Sequence, residues 1–171
     1  IVLVARDKEQ PYVQTFIFNK HQATPREEKN NVGYLMQDYA VTLITNMLNA
    51  RLNELLQVAN PPYIYATTYD DDFFVAKTKD AFTGIVVCKE DNIEEGISTI
   101  LREIERARQF GFTETEYSRA RAEYLRHLES AFQERDKRKN ESYVKEYVRH
   151  FLDNEPIPGI ANEYTIINQI A

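Results

Sequence analysis

Three histidines, one cysteine and a run of three aspartates are the side chains of this 171-residue chain that invite a chemical reading. A zinc centre that cleaves peptide bonds needs two imidazoles one helical turn apart and a carboxylate to act as general base. Its usual forms are His-Glu-x-x-His and the inverted His-x-x-Glu-His. Neither order occurs. His127 is followed by Leu128 and Glu129, while His150 has Asp153 three residues on and Asn154 where the second imidazole would stand. Both read as exposed or locally bonded helix histidines, and His21 lies apart from them in a polar connection.

Asp70, Asp71 and Asp72 are hard-cation donors by type, but no EF-hand spacing and no closing glutamate surround them, so they read as a solvated turn. Cys88 is alone, which rules out an intrachain disulfide or a cysteine cluster, and its apolar neighbours make it a core thiol. No Gly-x-Ser-x-Gly elbow is present, and five scattered glycines leave little room for a phosphate-binding loop. The basic run from Arg135 to Lys139 is interrupted by Asp136 and flanked by Glu134 and Glu141, the pattern of a salt-bridged helix face. No catalytic, cofactor-binding or metal-binding residue is therefore assigned.

A formal charge of -6 gives no electrostatic reason to expect nucleic acid or an anionic membrane as partner. With 43% hydrophobic residues the chain can bury a sizeable core, and residues 1–171 read as a single domain. Its apolar runs are too short to span a bilayer, and Ile-Val-Leu-Val-Ala at the start lacks the features of a signal peptide. The absence of an initiator Met and an apolar helical pattern running to Ile170-Ala171 read as a piece cut from a longer chain.

The elements that must carry these residues are marked by periodicity. Tyr12 to Phe18 alternates as a strand, with Val13, Thr15 and Ile17 on one face, and Ile1 to Val4 reads as a shorter one. His21 to Asn31 is a polar connection ending in a helix start. Val32 to Gln57 is helical, with Tyr34, Leu35, Val41, Ile44, Leu48 and Leu55 as its stripe, widened by Met47, Leu52 and Leu56, and should pack on a sheet. Asn60-Pro61-Pro62 turns the chain. Tyr63 to Tyr69 predicts a strand, Asp70 to Asp72 a turn, and Phe73 to Ala76 with Ala81 to Cys88 a second strand region.

Ile93, Ile97, Ile100, Leu101, Ile104 and Ala107 form one helix, with Asp91 and Glu94 as its start signal. Gly111 can close it in the left-handed conformation. Thr113 and Glu116 then form a capping box for the next helix, with Phe112 and Tyr117 as a hydrophobic staple, so that two helices meet at a defined corner. The second carries Tyr117, Ala120, Tyr124, Leu128 and Ala131, thickened by Leu125 and Phe132. Tyr143, Val144, Tyr147, Val148, Phe151 and Leu152 give a further helix, with continuity through Lys137 to Asn140 left open. Pro156-Ile157-Pro158-Gly159 breaks it, and Ile160, Tyr164, Ile167 and Ile170 mark a last helix. This order predicts an α+β fold: an antiparallel sheet with several helices on one face.

Taken in order, Met47 to Leu55, Ala59 to Tyr63, Lys77 to Phe82, Glu103 to Arg106 and Phe110 to Glu116 resemble the pitrilysin/insulinase family of zinc metallopeptidases. Glu134 to Lys137, Tyr147 to Leu152 and Glu155 to Ile160 extend the resemblance, in the form common in bacterial members. It implies similar α+β domains pairing as two halves around a peptide-degrading chamber, with the inverted zinc motif in the first domain. This chain resembles the domain after it, which lacks that motif. The resemblance thus implies a non-catalytic chamber domain, inactive alone. Its partners would be the other domains of the parent and a peptide substrate, with no nucleic acid or membrane. No cofactor is assigned to this segment, zinc belongs in the preceding domain, and an exported, periplasmic parent is implied. The alternative is an inactive family member acting as a binding or assembly subunit.

Overall fold

The computed structural model describes residues 1–5, 7, 9–76 and 78–171. Lys77, part of the Lys77 to Phe82 motif, lies outside the described residues. Among those described, three strands and six α-helices succeed one another in the order β1 (Val13–Gln22), α1 (Arg26–Lys29), α2 (Val32–Glu54), β2 (Tyr65–Asp72), β3 (Lys79–Cys88), α3 (Ile93–Phe110), α4 (Glu114–Gln133), α5 (Asn140–Asp153) and α6 (Ile160–Ile170). The chain forms two compact units, one of Ile1–His21 with Leu48–Gly111 and one of Gln22–Met47 with Phe112–Ala171.

The first unit is a sheet with helices on one face. Its strands lie in the order β1-β3-β2, and β2 runs antiparallel to β3 with Tyr65 opposite Val87, Thr68 opposite Gly84 and Asp72 opposite Asp80. Side chains alternate across a strand, so Ala66, Thr68, Gly84, Val86 and Cys88 share one face in this register. That face meets Leu52, Leu55 and Leu56 of α2 and the turn after it, and Ile93, Ile97, Ile100 and Ile104 of α3. Leu52, Val86 and Ile100 are completely buried there. Gly96 shows how close α3 comes to the sheet: a Cβ at this position would lie 2.2 Å from the Sγ of Cys88.

The second unit is helical. Tyr39, Leu43 and Met47 of α2, Ala120 and Leu128 of α4 and Ile167 of α6 are its buried centre, with Phe112, Tyr124, Leu125, Ile160 and Tyr164 packed around them. The Tyr39 and Tyr124 rings meet edge to face at 4.9 Å, and Phe132 stacks on Tyr164 at 4.7 Å. The short α1 is held by α5 through Arg26, whose Nη2 donates to the Phe151 carbonyl at 2.8 Å, and through Asn154, whose Nδ2 donates back to the Arg26 carbonyl at 3.0 Å.

Several boundaries differ from the sequence expectation. Ile1 to Val4 is not a strand; these residues carry no regular structure and are highly exposed. Asp70, Asp71 and Asp72 finish β2 instead of turning, because Asp70 stands opposite Phe82 and Asp71 opposite Ala81 in the ladder. The reversal falls at Phe73–Ala76, where the β-rich pattern predicts strand: Ala76 N–H donates to the Phe73 carbonyl at 2.9 Å, and Phe73 N–H reaches the Lys79 carbonyl at 2.9 Å. The buried stripe of α2 in the second unit runs through Tyr39 and Leu43, while Ile44 is half exposed, since apolar residues on much of the helix circumference leave the face ambiguous in sequence. Between α4 and α5 a 3-10 turn at Arg135–Lys137 and extended Arg138 and Lys139 separate the two helices.

Candidate functional site

The three histidines are built into three separate local settings. The Nε2 of His21, near the end of β1, lies 2.8 Å from the Oδ1 of Asp70 on β2. His127 stands on the exposed side of α4 with Glu123 one turn back at 3.9 Å. His150 bonds through Nδ1 to the Glu155 carbonyl at 2.7 Å, beyond the left-handed Asn154 that closes α5. Among the described residues no three His, Cys, Asp or Glu side chains converge as metal ligands. The donor set here does not fit a zinc ion, and no chemical step through one is assigned to these residues.

Cys88 has the opposite of a nucleophile's surroundings. Its side chain faces Val86 and Gly96 under α3, burial pushes the thiol pKa up, and a thiol held protonated is a poor attacking group. Tyr63 is likewise structural: its hydroxyl donates to the Leu52 carbonyl in the last turn of α2 at 2.7 Å, and burial, with Glu103 adding to it, raises its pKa to about 12. The basic run is not a helix face. Arg138 pairs with Glu146 and lies over the Tyr143 ring at 4.9 Å, while Arg135 covers the Phe132 ring at 4.5 Å. No described helix is long and apolar enough to cross a membrane.

What the first unit does present is a sheet face of aromatic rings. Phe16 and Phe18 project from β1 on the face opposite Ile17 and stack with centroids 6.0 Å apart. The β2–β3 turn adds Phe73 and Phe74, 5.4 and 5.8 Å from Phe18, and Lys20 places its ammonium 5.2 Å above Phe73. Phe16, Phe74, Tyr65 and Tyr69 remain substantially exposed. Such a surface can take apolar side chains. Sequence reading misses its turn half because Phe73 and Phe74 continue a β-rich pattern that predicts strand.

No family model matches the chain. Over 60 residues it is 43% identical to a PQQL-like zinc protease of Arabidopsis thaliana, a match spanning 35% of this chain and 6% of that protein. Among solved structures it is similar to the first half of the periplasmic protease PqqL from Escherichia coli, with a TM-score of 0.82, 16% identity, 95% of this chain and 34% of that chain covered. A structure of PqqL from the same organism gives the same score over 96% of this chain and 18% of its own. A predicted insulinase family protease from Yersinia pestis is similar at 0.71 with 9% identity, over 96% of this chain and 38% of that one. The chain thus spans little more than a third of these neighbours at most, and at such identities the likeness establishes the fold. That fold, together with the stretch shared with a PQQL-like zinc protease, bears out the resemblance to the pitrilysin/insulinase type of zinc peptidase.

Proposed function

We propose that the chain is a non-catalytic domain of a zinc metalloendopeptidase, a single domain of a longer parent whose metal lies in the domain before it. The observation that carries the reading is the pairing of two facts: a fold shared with about one third of a solved half of PqqL, and three histidines held in three unrelated local settings. In this reading, a domain whose described residues converge on no metal contributes to peptide degradation by walling a chamber, excluding folded substrates and lending apolar surface to an extended peptide. The exposed rings of Phe16, Phe74, Tyr65 and Tyr69 are suited to that last task. Its partners in this reading are the remaining domains of the parent and a peptide, in an exported setting.

The test is direct. The chain, supplied with zinc, is incubated with a set of internally quenched peptides in the presence and absence of a chelator. No chelator-sensitive cleavage is expected, and robust zinc-dependent hydrolysis would overturn the proposal.

A further inference from the structure

Among the described residues β2 is an edge strand, because the sheet order β1-β3-β2 places no described strand on its outer side. An open edge is a row of unpaired N–H and C=O groups, and proteins that tolerate one usually blunt it. In β2 the blunting is specific. Thr68 stands opposite Gly84 and is 2% exposed, yet its backbone groups are both engaged by a side chain. Its N–H donates to the Oδ1 of Asn49 at 2.7 Å, and the Nδ2 of Asn49 donates to its carbonyl at 2.9 Å. The Thr68 hydroxyl adds a bond to the same Oδ1 at 3.0 Å.

The N–H and C=O of one strand residue point to the same side, and in an antiparallel ladder opposed residues alternate between bonded and non-bonded pairs. Thr68 is therefore a residue whose backbone faces away from β3. A primary amide offers one acceptor and one donor in a plane, the same pair that a residue of a fourth strand would present. We infer that Asn49, carried by α2, is a strand surrogate that closes the outer edge of β2 to added polypeptide. Removing the amide opens the edge to one occupant, β2 of a second copy of this chain.

Register points to a second copy. An antiparallel pair centred on Thr68 has two-fold symmetry and sets Asp72 of one copy opposite Ile64 of the other and Tyr69 opposite Thr67. The three aspartates at the end of β2 then never oppose one another. Under the chamber-wall reading, on which this one consequence rests, a peptide held by this domain does not pair with β2 at Thr68.

The experiment needs no peptide, so it stands or falls separately from the peptidase reading. Amide hydrogen exchange on the native chain comes first. Thr68 is expected to be protected like the ladder amides of β3, and exchange as fast as that of the exposed turn at Phe73–Ala76 would overturn the inference before any variant is made. Asn49→Ala is then compared with wild type by analytical ultracentrifugation over a concentration series. The expected result is about 10-fold or greater loss of Thr68 protection with concentration-dependent dimerisation. A folded, monomeric Asn49→Ala overturns the inference. Should that variant not fold, Asn49→Asp retains the acceptor for the Thr68 N–H and removes the donor to its carbonyl. It is expected to keep Thr68 protected, and loss of that protection contradicts the assigned geometry.

Discussion

Glu163 on α6 is a carboxylate in an unfavourable place. Burial raises its pKa above the ordinary carboxylate range, Glu146 and Asp38 push it further up, and Arg138 only partly offsets them. A carboxyl whose folded pKa exceeds its unfolded value binds more protons in the native state, so its contribution is greatest at acid pH and is lost as pH rises through the folded value. The Glu163→Gln variant lacks that dependence. Followed by thermal melting from about pH 4 to about pH 8, its stability relative to wild type is expected to rise with pH and then level off. A difference that stays constant or shrinks would contradict the buried, acid-flanked setting. None of this is legible in the sequence, since Glu163 looks like any polar residue of a helix until α2 and α5 bring Asp38 and Glu146 to it. Asn49 escapes notice for the same reason: a lone polar residue in a helical pattern announces nothing until the strand it serves has been placed.

At the scale of elements, local signals read well where the chemistry is local. Thr113 accepts from the Glu116 N–H at 3.3 Å and the Glu116 carboxylate accepts from the Thr113 N–H at 2.7 Å, so the capping box forms as its spacing implies. Gly111 does close α3 with a positive φ of 66°, but at ψ -147° it lies outside the helical left-handed basin, in a region that favours glycine all the more. Its carbonyl accepts from the Nη2 of Arg51 at 3.0 Å. The start of α3 is less legible: Asn92, the last residue of a 3-10 turn at Glu90–Asn92, occupies the cap without a side-chain bond. Replacing Thr113 with Ala is expected to cost about 1 kcal/mol, read from urea unfolding. A change indistinguishable from zero would mean that the box does not anchor α4. Where burial depends on distant partners, pattern alone fails. Asp70 to Asp72 look like a turn until β3 pairs them. The amphipathic stripe of α5 is real as a pattern, yet Val144, Tyr147, Phe151 and Leu152 are all more than half exposed.

For the whole molecule, the order of motifs is the informative quantity. Strand, long helix, hairpin and then successive helices define the α+β class, which the PqqL and insulinase-type structures share. The ordered motifs from Met47 to Ile160 carry the resemblance, which that fold bears out together with the stretch shared with a PQQL-like zinc protease. Function is read less directly, because a fold hosts activity only where the right side chains converge. Here the Nε2 of His21 lies against Asp70, His150 bonds to the Glu155 carbonyl, and His127 stands exposed on α4 with Glu123 3.9 Å away. The proposed role as a peptidase domain that does not hold the metal is tested most directly by elemental analysis of the chain after equilibration with zinc and exhaustive dialysis. Far less than one zinc per chain is expected, unchanged when His127 and His150 are both replaced by Ala. One zinc retained per chain and lost on that replacement would contradict that role.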